Sequence, residues 1–212
     1  MGFLEQDILN YCNELSSSDN LLDDLERETN YKVLMPRMIS GKIMGNFLKL
    51  ISNLKKPKHI LEIGTYTGYS AICLAEGITK DGQLHTIEIN EELKLFSRKY
   101  FKKANLENKI TLHIGNAIDV IPTIDLLFDI VFIDADKKNY CKYYELAIQK
   151  SQTGGYILID NVLWSGKVLD EAKVHDIETQ EIQKLNNLII NDNRVENTLI
   201  PIRDGLMICK VL

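Results

Sequence analysis

Apolar positions along the chain follow two rhythms, and the change between them falls near residue 57. Residues 3–54 carry helical spacing. Leu4, Ile8, Tyr11 and Leu15 form one stripe that ends in the Ser16–Ser18 cluster. Asp19 is placed to cap a second helix over Leu21–Tyr31. Pro36 interrupts, and Ile39, Ile43, Phe47, Leu48 and Ile51 then make another amphipathic face that stops before Pro57.

From Lys58 short apolar runs alternate with helical stretches. The pattern predicts strands over Ile60–Ile63, Gln83–Glu88, Ile110–Ile114, Asp129–Ile133 and Tyr156–Ile159. It predicts helices near Tyr69–Ile78, Glu91–Ala104, Ala117–Ile121, Asn139–Lys150 and Ile177–Asn191. Such alternation makes an α/β fold, a parallel sheet with helices on both faces. The tail differs. Arg194–Ile200 and Leu206–Val211 flank a turn at Ile202–Gly205, which reads as a hairpin adding an antiparallel edge strand.

At 212 residues the chain is expected to be one domain: N-terminal helices over 1–54 and an α/β core over 55–212. A net charge of −5 gives no electrostatic footprint for nucleic acid. No stretch reaches the roughly 18 apolar residues of a membrane span, and MGFLEQDIL does not read as a secretory signal. A cytoplasmic protein is expected. Its four scattered cysteines (Cys12, Cys73, Cys141, Cys209) then read as reduced structural thiols.

The chemistry begins at Lys58–Ser70, KHILEIGTYTGYS: buried strand, glycine turn, helix. Glu62, Gly64 and Gly68 spell ExGxxxG, which is neither the dinucleotide fingerprint nor a phosphate loop. A nucleoside-like ligand without phosphates fits this turn, and so does a plain strand–helix connection. Glu88 ends the second strand, where an acidic side chain holds ribose hydroxyls in this architecture. Asn90 is the better cap for the next helix. At Asn116–Ala117 small residues leave room for a flat purine, although a simple turn explains them equally well. Strand four ends in Asp134 and strand five in Asp160–Asn161. Neighbouring strands would bring these together, and two carboxylates with one amide oxygen suit a hard divalent cation. Without that cluster, a nucleoside-binding domain lacking transfer chemistry is the competing reading. The four histidines show no metal-ligand spacing, and Arg203–Asp204–Gly205 reads as a turn.

Together EIGTYTGYS, LHTIEIN, FIDADKKNY, LIDNVLWSGKV and the closing IPIRDGLMI resemble the cation-dependent class I O-methyltransferases, the caffeoyl-CoA and catechol O-methyltransferase family. The resemblance implies a Rossmann-like fold with a seven-stranded, mostly parallel sheet and an N-terminal helical extension. It implies S-adenosylmethionine as methyl donor, with Glu62, Gly64, Thr65 and Ser70 lining its amino-acid and ribose end, and Ser40 touching the methionine portion. Glu88 would hold the ribose, Ala117 would border the adenine, and Asp134 would also face the cofactor. Asp134, Asp160 and Asn161 would bind the cation, Mg²⁺ before Mn²⁺ or Ca²⁺. Lys137 would be the catalytic base, and Trp164 would border a phenolic or catechol acceptor. A homodimer through the N-terminal helices and the hairpin is also implied. The Ser40–Met44 segment and the Gly166–Asp176 loop depart from the plant relatives, so the resemblance fixes the reaction and leaves the acceptor open, a non-catechol one included.

Overall fold

Side-chain alternation along the strands divides the interior in two. The computed structural model describes residues 6–212. Five strands run parallel: β1 (His59–Ile63), β2 (Gln83–Glu88), β3 (Ile110–Ile114), β4 (Phe128–Ile133) and β5 (Ser151–Asp160). β6 (Val195–Ile200) and β7 (Leu206–Val211) complete the order β3-β2-β1-β4-β5-β7-β6. β7 pairs antiparallel with both neighbours. The antiparallel strand therefore lies one place in from the edge, not at the edge as the hairpin pattern suggested. The strand with exposed Glu196 takes the rim, while β7 buries Leu206, Met207, Cys209 and Val211.

On one face Leu61, Ile63, Val131, Ile133, Ile157 and Ile159 pack under α6 (Ala117–Val120), α7 (Tyr140–Lys150) and α8 (Ile177–Ile190). On the other, Ile60, Leu84, Ile130, Phe132 and Leu158 pack under α2 (Asn20–Lys32), α3 (Gly41–Lys55), α4 (Tyr69–Ala75) and α5 (Lys94–Lys103). Every residue of α4 is buried, because α3 covers the side that the sheet leaves open.

The local signals act as their chemistry requires. Asp19 accepts from the amides of Leu21 and Leu22 and starts α2. Asn90 accepts from Glu92 N at 3.0 Å, opening a 3₁₀ turn (Glu91–Leu93) ahead of α5. The helix expected over Tyr69–Ile78 stops at Ala75, and the one over Ala117–Ile121 tightens into a 3₁₀ turn at Pro122. Leu4 of the first stripe lies outside the described residues. Ile8, Tyr11 and Leu15 of that stripe are exposed along α1 (Gln6–Leu15). Among the described residues no helix is long and apolar enough to cross a membrane.

Candidate active site

The sheet order reverses between β1 and β4, and a crevice opens there beyond the carboxyl ends of the parallel strands. It forms a cavity of 1440 Å³. A typical small-ligand pocket is about 300–1,000 Å³, so two ligands fit here side by side. Residues 32–35 and 37–40 line it as one strap of chain.

One half lies over β1, β2 and β3. Gly64 has φ +100°, and a Cβ there would sit 2.0 Å from Asp134 O. Only glycine lets the turn lie this close to the end of β4. Thr65 and Ser70 line this half, with the buried Thr67 hydroxyl, which has no protein partner. Glu88 is held by two backbone amides, Tyr66 N at 2.7 Å to Oε2 and Asn90 N at 2.8 Å to Oε1. Its carboxylate plane is thereby fixed, with lone pairs to spare for a diol. Ala117 borders this half, and Asn116 caps α6 instead of facing the cavity. Ser40 reaches it from the strap.

Glu62, expected among the cofactor's contacts, is fully buried and is not one of the residues lining the cavity; its Oε1 has no protein partner. Its Oε2 accepts from Thr86 Oγ1 at 2.5 Å, and Thr86 Oγ1 lies 2.5 Å from Thr65 Oγ1. Glu62 thus supports the turn through hydroxyls. Burial pushes its carboxyl up to about 8.

The other half lies over β4 and β5. Asp134, Asp160 and Asn161 all line it. Asp160 is 1% exposed, and its Oδ1 accepts from Asn161 N at 2.8 Å. Its pKa is raised, first by burial and then by the Asp134 carboxylate. A buried carboxylate and a partly buried one that repel one another fit a cation between them. Among the described residues no three His, Cys, Asp or Glu side chains are grouped to hold a metal. The expected set differs in using the Asn161 amide as its third donor.

Lys137 sits against this pair, 8% exposed. Its Nζ donates to Asp134 Oδ1 (3.1 Å), Ala135 O (3.0 Å) and Tyr140 OH (2.5 Å). Tyr140 in turn donates to Asp160 O at 3.2 Å. The Trp164 ring lies 5.8 Å from Lys137 Nζ and 5.9 Å from Lys167 Nζ, along the wall of the same half. Asp136 accepts from Tyr143 OH and Asn139, so it braces the wall and caps no helix.

Three participants escaped the sequence reading. Tyr140 is not marked out by the sequence patterns, although its spacing of three from Lys137 is a usable signal. Tyr66, inside the glycine turn, donates to Leu34 O (3.0 Å) and Met35 O (3.2 Å) and ties down the strap. Arg203, read as part of a turn, lines the cavity; its partners are 163 and 164 residues away in sequence, which no local pattern reveals.

The O-methyltransferase family model matches residues 13–212. A caffeoyl-CoA O-methyltransferase of Stellaria longipes is 33% identical over 188 residues, 83% of this chain and 77% of the relative. A catechol O-methyltransferase of Niastella koreensis is 34% identical over 170 residues, 78% of this chain and 76% of the relative. Among solved structures, the O-methyltransferase of Bacillus cereus in complex with SAH superposes with a TM-score of 0.90 at 31% identity, covering 97% of both chains. TomG of Streptomyces achromogenes in complex with SAM gives 0.89 at 27% identity, covering 99% of both.

Proposed function

Because the chain belongs to the O-methyltransferase family, whose members transfer a methyl group from S-adenosylmethionine to oxygen, we propose that it methylates a hydroxyl of a catechol- or caffeoyl-type small molecule with a divalent cation at Asp134, Asp160 and Asn161. The observation that carries this reading is the pair of carboxylates at the ends of adjoining strands, Asp160 buried and Asp134 partly so, with the Lys137 ammonium against Asp134.

When bound, the sulfonium cofactor supplies an already activated methyl group and the cation draws electron density from an acceptor hydroxyl. The protein's own work is orientation and proton removal. Glu88, fixed by two amides, holds the ribose diol. Ser70, Thr65 and the unpartnered Thr67 hydroxyl receive the amino-acid end, and Ser40 closes over it. Lys137 acts as the neutral amine, after its ammonium has given up one proton to solvent: Nζ then takes the phenolic proton. Ala135 O and Tyr140 OH keep two of its N–H groups, and the lone pair takes the direction that the ammonium gives to Asp134 Oδ1. Such general-base help is worth about 10²–10⁴-fold. Trp164 offers an aromatic wall to the acceptor ring.

A panel of catechols, caffeate, caffeoyl-CoA and hydroxylated flavonoids with labelled methyl donor, with and without EDTA, tests the reading. Activity on a catechol that persists in EDTA refutes the cation's part. Asp160→Ala is expected to abolish metal-dependent transfer while cofactor binding survives. We further propose a cytoplasmic homodimer; the exposed Ile8, Tyr11 and Leu15 on α1 and Leu50 and Leu54 on α3 support an association surface there. Sedimentation of the purified protein as a monomer at micromolar concentration refutes the dimer.

A further inference from the structure

Both walls of the cavity hang on one turn. Between β6 and β7, the Arg203 guanidinium donates from Nη1 to Ser40 O and from Nη2 to Ile39 O at 3.3 Å. Its neighbour Asp204 accepts from Leu163 N through its carbonyl at 2.9 Å and from Ser165 N through Oδ1. Gly205 O accepts from Val162 N at 3.1 Å. Three consecutive residues therefore hold the strap that carries Ser40 and the loop that carries Asn161 and Trp164.

Both segments need an outside hold. Residues 39 and 40 lie between a 3₁₀ turn and α3, outside any regular element, and the Ser40 side chain makes no cap to α3. In the loop, Asn161, Trp164 and Ser165 all have positive φ (63°, 47° and 52°), a conformation that costs non-glycine residues energy unless the surroundings impose it. Arg203 itself sits at φ +52°. Glycine or asparagine would serve that backbone position better, so local turn chemistry does not account for an arginine there. Its two long-range hydrogen bonds do.

We propose that Arg203 is a positioning residue that couples the two halves of the site: it holds Ser40 over the cofactor half while the residues beside it hold the Asn161–Ser165 loop over the acceptor half. This rests on the cofactor reading above. Occupying one half stiffens the turn and thereby favours the other half, so loss of the guanidinium weakens both.

The test is calorimetric binding of S-adenosylhomocysteine to the full chain, with amide hydrogen exchange on the unliganded protein. Arg203→Met keeps the aliphatic stem and removes the donors. It is expected to weaken binding about tenfold and to speed exchange in both 33–40 and 161–166. Arg203→Lys, able to reach one carbonyl, should recover part of the loss. A purely structural turn residue would speed exchange in 201–205 alone. A binding change under threefold, or exchange confined to the turn, overturns the proposal. If Arg203→Met fails to fold, Arg203→Lys is judged by the same threefold limit. Failure of the unaltered protein to bind S-adenosylhomocysteine would instead overturn the cofactor reading.

Discussion

Glu62 is a carboxyl inside β1 with no cation beside it, and its titration should be visible in the stability of the whole fold. Burial, above all, moves its pKa from 4.5 to about 8; Asp134 and Glu88 add to the rise, and the Ser70 and Thr86 hydroxyls oppose it. Below about pH 4.5 folded and unfolded chains are both protonated there, and Glu62 carries no penalty. As pH rises the unfolded chain gives up the proton while the folded chain keeps it, so stability falls. Above pH 8 the folded state has ionised too and the full penalty is present. The gap between 4.5 and about 8, at about 1.4 kcal/mol per pH unit, sets that penalty on the order of 5 kcal/mol. A domain's total stability is about 5–15 kcal/mol, so the effect should be measurable.

Glu62→Gln replaces the carboxyl with a neutral group of the same shape whose oxygen still accepts from Thr86. Urea unfolding of both proteins, followed by circular dichroism at pH 5, 7 and 9, isolates the residue, because every other titrating group is shared. The unaltered protein should lose about 4 kcal/mol more than the variant between pH 5 and 9, with the difference growing up to pH 8 and then levelling. Two stability curves that run parallel across this range refute the reasoning.

Other outcomes follow from distances in the site. Gly64→Ala sets a Cβ 2.0 Å from Asp134 O at φ +100°, whereas Gly154→Ala, at φ +76°, meets nothing within 4 Å. The first should cost at least about 3 kcal/mol and the second about 1 kcal/mol in the same urea assay; equal costs would mean the close approach to β4 is unimportant. Lys137→Ala should lower kcat by about 10²–10⁴-fold with little change in acceptor KM; an unchanged kcat removes Lys137 as the base. Tyr140→Phe deletes an acceptor of the buried Lys137 ammonium, worth about 1.5–3 kcal/mol of stability, and should lower kcat about tenfold; a variant that keeps both kcat and stability means Tyr140 only packs.

The sheet was legible because its central strands are covered twice. Val131–Ile133 and Ile157–Ile159 are unbroken, fully buried apolar runs that end in an acid. The acids at the strand ends stood out against those runs, so Glu88, Asp134 and Asp160 could be named from residue type and position. Glu62 lies deeper than those three, for a reason the same logic contained. Side chains alternate along a strand, and Ile60 and Glu62 share the face that meets α4, while Leu61 and Ile63 share the other. A carboxyl on that face, one residue before the strand's end, points under the turn, not over it.

The acceptor side resisted reading for a different reason. Its walls come from 32–40, 161–169 and 202–205, irregular segments far apart in the sequence. They are joined largely through backbone atoms: Ser40 O, Ile39 O, Leu163 N, Val162 N and Ser165 N. Backbone groups are present whatever the side chain, so the sequence carries little trace of these contacts. The reacting groups sit instead on strand ends fixed by the two cores. An enzyme built this way can change the side chains of its strap and loop, and with them its acceptor, while the β1–β4 junction that does the chemistry stays as it is.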